Sequence, residues 1–169
     1  MMLSLFGFSQ QLPHYSLYMF NDAIINPAIC GTKDYNRIDL VSRSQWAGFE
    51  GAPKTQLLSY QRSQGKNMGI GGSIFNDETG PSKRTGVQLS YAYNFLISDN
   101  YTLSLGLAGS IYQYVFDYNK TLLHDDVFDP AAPGGNESVF VQDATFGAFL
   151  TNNKFYFGIS IPQLIQSKI

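Results

Sequence analysis

Residues 86–115 alternate apolar with small or polar side chains through two successive passes, and few folds tolerate that pattern. In the first pass Val87, Leu89, Tyr91, Tyr93 and Phe95 fall on one face and Gly86, Gln88, Ser90, Ala92 and Asn94 on the other. In the second, Leu103, Leu105, Leu107, Ile111 and Val115 oppose Ser104, Gly106, Ala108, Ser110 and Tyr112, with Ile97-Ser98-Asp99-Asn100 as the turn between. Successive side chains of a strand point to opposite faces, so a period of two means β-strand. Each pass is also close to the ~9–11 residues that a tilted strand needs to cross a bilayer.

Composition separates a membrane barrel from a soluble one. Charged residues make up 14% of the chain, against the ~25% of an ordinary soluble domain, while aromatics reach 15%. A soluble β-protein needs charge on its wet face. A membrane barrel replaces that charge with lipid-facing apolar residues, aromatic girdles and a lumen of small polar groups. The expected fold is therefore all-β: an antiparallel up-and-down outer-membrane β-barrel. No run of ~20 apolar residues exists to form a transmembrane helix, and a net charge of −2 offers no footprint for nucleic acid.

The chain divides into three parts. Residues 1–10, apolar and closing on Ser9-Gln10, read as the end of a secretory signal peptide without its basic region. Residues 11–35 lack period two and read as a turn or short helix that packs against or plugs a barrel end; a plain loop fits the same residues. Asn26-Pro27 closes this segment, because the residue before proline is pushed out of the α region. Residues 36–169 supply the barrel wall.

Strands are expected over residues 36–46, with Ile38 and Leu40 opposite Arg37, Asp39 and Val41, and over 54–62, 67–75, the central pair, 143–150 and 155–161. That gives about seven strands in hairpin order, with an unclosed last strand, and hence an incomplete barrel and a fragment of a longer protein. Residues 46–53 form a Gly/Pro turn holding the single Trp. Asn76-Asp77-Glu78-Thr79-Gly80-Pro81-Ser82 carries a strong turn signal, and Asn152-Asn153 a tight hairpin turn based on the tolerance of Asn for positive φ. Residues 117–139, with Asp125, Asp126 and Asp129, read as a long surface loop.

No catalytic or cofactor constellation emerges, and no enzyme activity or cofactor is expected. Gly72-Ser73-Ile74 runs into Phe75 instead of completing a nucleophile elbow. Gly69, Gly71 and Gly72 lack the Gly-Lys-Ser/Thr of a phosphate loop, and the carboxylates at 76–82 lack calcium-loop spacing. Cys30, His14 and His124 stand in no metal-ligand pattern, so no metal is expected.

An ordered series of short motifs runs along nearly the whole chain. It begins with Pro13-His14-Tyr15-Ser16, Tyr18-Met19-Phe20, Ile25-Asn26-Pro27-Ala28 with Gly31, Arg43-Ser44-Gln45-Trp46, and Phe49-Glu50-Gly51-Ala52-Pro53-Lys54-Thr55. It continues with Asn76-Asp77, Gly80-Pro81, Tyr91-Ala92-Tyr93, Leu103-Ser104, Gly106-Leu107, Asp129-Pro130 and Tyr156-Phe157-Gly158-Ile159-Ser160. The order and spacing resemble the PorP/SprF family of type IX secretion system membrane proteins, with departures at Ile29-Cys30 and at Asn21-Asp22-Ala23. The resemblance implies a non-enzymatic barrel in the outer membrane of a Gram-negative, Bacteroidetes-type bacterium. It also implies action with the secretion machinery in exporting large adhesins and holding them at the cell surface during gliding. Family members are typically longer than this chain.

Two functional readings remain open. One is a platform whose loops and N-terminal segment bind a secreted adhesin or another secretion component; the other is a channel or transporter for a small ligand. A soluble lipocalin-like barrel is a third, weaker reading. Besides outer-membrane lipid, the residues expected to touch a partner are Trp46, Phe49, Glu50 and Pro53 in the first turn, with Arg43 pairing a lumenal carboxylate. Interfacial anchoring and turn geometry account for the same residues.

Overall fold

The computed structural model describes residues 21–46, 48–49, 51–65, 67–98, 100–118 and 135–165. The expected signal peptide, His14, His124, Glu50 and the acidic residues Asp125, Asp126 and Asp129 lie outside them. Seven strands follow in chain order: β1 (Arg37–Ser44), β2 (Lys54–Gln64), β3 (Met68–Thr79), β4 (Ser82–Ser98), β5 (Tyr101–Asp117), β6 (Asn136–Thr151) and β7 (Tyr156–Ile161). Each pairs antiparallel with the next in one sheet that curls into a half-barrel. Among the described residues no helix is long and apolar enough to cross a membrane.

The alternation determines which face is which. Along β4, Leu89 is 72% exposed and Ala92 fully buried, and the pattern repeats along the strand. Apolar side chains therefore point outward from the convex face, and Gly, Ser, Ala and Asn line the concave lumen. From Val87 to Phe95 the outward face of β4 is apolar over eight residue steps, ~27 Å along the strand at ~3.4 Å per residue, which suits the tilted crossing of a ~25 Å apolar band. Tyr93 and Phe95 pack ring to ring at 4.7 Å near one end of it.

Several boundaries differ from the sequence expectation. Asn76, Asp77 and Glu78 belong to β3, paired with Thr85, Arg84 and Lys83, so the turn shrinks to Gly80-Pro81. Cross-strand pairs such as Thr85 Oγ1 donating to Asn76 Oδ1 at 2.8 Å hold these polar residues in extended pairing. β6 begins at Asn136, inside the stretch expected to be loop, because Asn136–Val139 pair with the end of β5. β1 stops at Ser44, short of Trp46. The turn at Asn152 needs no positive φ. Its Oδ1 instead accepts from the backbone N–H groups of Lys154 and Phe155 at 2.8 and 2.6 Å, an Asx arrangement.

Connections of unequal length mark the two ends. Residues 45–53 and 118–135 join strands at one end, together with the Gly80-Pro81 turn, while residues 65–67, 99–100 and 152–155 make short connections at the other.

Candidate functional site: an N-terminal segment seated in the lumen

Two short elements precede the sheet, a helical turn α1 (Asp22–Ile25) and a 3-10 turn (Pro27–Ile29). Asn26 separates them. Its Oδ1 accepts from Ala28 N at 3.0 Å, and Pro27 at the first position has no N–H to leave unsatisfied. The segment lies across the concave face against β4, β5 and β6.

Small residues make room for it. Gly69, Ala92, Gly106, Gly147 and Ser160 form one row across β3 to β7. A Cβ on Gly106 would overlap the backbone of Pro27 and Ala28, and one on Gly147 would overlap Asn26 Oδ1. Gly69 lies equally close to the Cys30 carbonyl and to Gly31, which turns at φ 70°. Gly69 thus serves a close backbone approach.

Polar lumenal side chains hold the segment in place. Asn21 Nδ2 donates to Ser59 Oγ at 2.6 Å, Gln88 Nε2 to Ile24 O at 3.2 Å, and Asn94 Nδ2 to Gly31 O at 3.1 Å. Ser104 Oγ donates to Asn94 Oδ1 at 2.6 Å and fixes that amide. Asn26 Nδ2 reaches the carbonyls of Ala148 at 3.1 Å and Ile159 at 3.3 Å, on adjacent strands. Arg37 pairs with Asp39 at 2.9 Å and with Asp22 at 3.7 Å, which ties α1 to the start of β1. Unpaired backbone groups are costly to bury, and among these contacts Gln88 and Asn94 give the carbonyls of Ile24 and Gly31 their partners.

Toward the long-connection end the lumen changes character. Leu57, Phe75, Tyr112 and Val141 form a buried apolar layer, with Val41 and Ile24 packed against it. Gly86, in the same row, leaves space for the Phe75 and Tyr112 rings. Beyond that layer the Arg84 guanidinium stacks over Tyr112, 3.9 Å from the ring centroid. Cys30 is buried with Ala23 and Ala92. Burial pushes its thiol up to about 11, partly opposed by a hydrogen bond with Ser90 and reinforced by the charge of Asp22. Such a thiol is protonated and inert at neutral pH.

The residues expected to contact a partner divide between two places. Trp46 and Phe49 share the first turn, where Phe49 N donates to Trp46 O at 3.1 Å, and they are 73% and 77% exposed. Pro53 closes the turn by accepting from Gln45 N at 3.0 Å, and Gly51 O accepts from Gly80 N at 3.0 Å, joining this turn to the next. Arg43 instead faces the lumen, in one row with Thr55, Asp77 and Arg84. It forms no ion pair with a carboxylate among the described residues. Asp77 in that row is engaged by Thr55 Oγ1 at 2.6 Å.

Sequence reasoning placed Asn26 at a chain break but missed its bridging amide, along with Gln88, Asn94 and Ser59. Their one signal was their place on the small polar face. Among the described residues no group of His, Cys, Asp and Glu is arranged to hold a metal.

No curated protein and no solved structure matches the chain. The family model described as "Type IX secretion system membrane protein PorP/SprF" matches residues 7–169, a span that contains the seated segment and all seven strands. With an antiparallel half-barrel that is apolar outside and polar inside, this match identifies the chain as a member of the PorP/SprF family of type IX secretion system membrane proteins.

Proposed function

We propose that this chain is a non-enzymatic outer-membrane component of the type IX secretion system, acting as a plugged platform that assists export and surface attachment of large adhesins. The carrying observation is the seated N-terminal segment. It crosses the lumen from Ser59 on β2 to Ile159 on β7, held by side-chain hydrogen bonds at both limits, and an occupied lumen favours a platform over an open pore. In this reading Trp46 and Phe49, exposed on the first turn, meet the secreted partner or another component of the machinery, and the convex apolar wall meets lipid. The test is surface display. Trp46→Ala with Phe49→Ala should leave the barrel in the outer membrane and lower the amount of adhesin detected on intact cells several-fold; unchanged display removes the turn from the interface.

One observation favours the channel reading. A cavity of ≈ 800 Å³ lies between the segment and β6–β7, bordered by Asp22, Ile25, Lys33, Phe149 and Tyr156. Planar-bilayer conductance by the full chain would establish that reading, and its absence in a correctly inserted protein would leave the platform.

A further inference from the structure

The outward apolar band is not equally tall around the wall. On β4 it runs from Val87 to Phe95, and on β5 from Leu103 to Ile111, eight residue steps each. On β2 it holds only Leu58 and Tyr60, between Gln56 and Arg62; on β1 only Ile38 and Leu40, between Asn36 and Ser42. That is ~7 Å of strand against ~27 Å, at ~3.4 Å per residue. Strand tilt staggers level positions by about one residue per strand, far less than this difference. The shortfall lies at the short-connection end. There Arg62 takes the place that Ile70, Tyr91 and Leu107 occupy in its row, and Gln64 the place of Met68, Tyr93 and Leu105.

Placed in hydrocarbon, this corner is unfavourable. A basic side chain on the lipid face of a barrel costs about 2–4 kcal/mol at the bilayer midplane and about 0–1 near an interface. The Arg62 Nε is buried and makes no hydrogen bond within the protein. Beside it Lys33 lies 5.8 Å from the Tyr35 ring centroid, and Lys33, Tyr35 and Arg62 border one small cavity. Basic and tyrosine side chains together mark the level of lipid headgroups. Asp34 is adjacent in the chain and exposed; Asp22 and Arg37 border the same cavity and pair with each other, and Arg37 is engaged by Asp39 as well.

Resting on the membrane-spanning reading above, we propose that the bilayer is thinned along the β1–β2 wall, where headgroup phosphates of the leaflet at the short-connection end rise to Lys33 and Arg62. The wall is then asymmetric, with full hydrophobic height at β4–β5 and a low side at β1–β2. Mismatch of this kind is met by thinning of the bilayer at a modest energy per ångström.

Spin labels at Gln64→Cys and Tyr93→Cys, which share a row two strands apart, test this in the full chain with Cys30→Ala, in vesicles of phosphatidylethanolamine and phosphatidylglycerol. The label at 93 should be open to oxygen and closed to a nickel chelate, as in a lipid interior. The label at 64 should be open to the nickel chelate and should speed the phosphorus relaxation of the lipids more strongly than that at 93. If both labels behave as in lipid interior, the wall is uniform and the proposal is wrong. A label at 64 closed to both reagents would replace lipid with a protein cover. If both labels are open to nickel, β4 does not face lipid and the membrane-spanning reading itself fails.

Discussion

Asn26 Nδ2 donates to the main-chain carbonyl of Ala148 at 3.1 Å, joining positions 122 residues apart in the chain. The same amide reaches Ile159 O across the β6–β7 pair, while its oxygen caps the 3-10 turn. One side chain thus folds the segment and fastens it to the wall.

Asn26→Asp keeps the acceptor for Ala28 N and places a carboxylate oxygen against two carbonyls. The expected loss is ~1–3 kcal/mol of docking energy, the range for a buried polar group left without its partner. Limited proteolysis of the detergent-solubilised protein should cut within residues 21–35 several times faster than in the parent, with the barrel intact.

Gly106→Val should displace the segment by a different route, because the new side chain overlaps the Pro27–Ala28 backbone, which has no flexible end to give way. Overpacking of this kind costs ~1–3 kcal/mol. Gly109→Ala is the control: it meets nothing within 4 Å. Hydrogen exchange at Ala28 and Cys30 should rise in the first variant and stay unchanged in the second.

Cys30 should resist maleimide at pH 8 in the folded protein and react promptly once unfolded. The raised thiol value also has a pH consequence. The folded group titrates at about 11 and the unfolded one at 9.0, so the stabilisation is fully present below pH 9 and is lost as pH rises toward 11. Its size is roughly 2–3 kcal/mol at ~1.4 kcal/mol per unit. Cys30→Ala should flatten that part of a stability-against-pH curve, and an equally steep curve would assign the loss to other groups.

Leu89→Lys places a charge on the convex face at mid-band, where about 2–4 kcal/mol of destabilisation is expected. Ser110→Lys places the same charge in the lumen, in the row of Asp143, and should be tolerated. Heat-modifiability on cold gels distinguishes the two, and equal effects would contradict the assignment of faces.

Much of this architecture was legible in the chain. Period two at Val87, Leu89 and Tyr91 against Gln88, Ser90 and Ala92 determined both the strands and their faces, because the alternation of Cβ directions is local geometry that needs no partner. Low charge then led to the expectation that the apolar face meets lipid. The boundaries were less legible. Asn76, Asp77 and Glu78 carry turn-forming side chains, and only pairing with Thr85, Arg84 and Lys83 keeps them extended, which is a tertiary override of local preference.

A segment that packs against or plugs the barrel was expected from the sequence, but the contacts that seat it lay beyond its reach. Asn26 announces a cap, and Gly106 or Gly147 a place where a strand lacks a side chain, but nothing in their spacing says that each fills the need of the other. Local periodicity determined the wall, its apolar and polar faces and the order of the hairpins. Only the curl of the sheet, which brings β2, β4, β6 and β7 around one volume, decided that residues 21–31 fill that volume. The reason is that a contact across more than a hundred residues depends on backbone approach and on unpaired carbonyls, neither of which is written in the identity of any one residue.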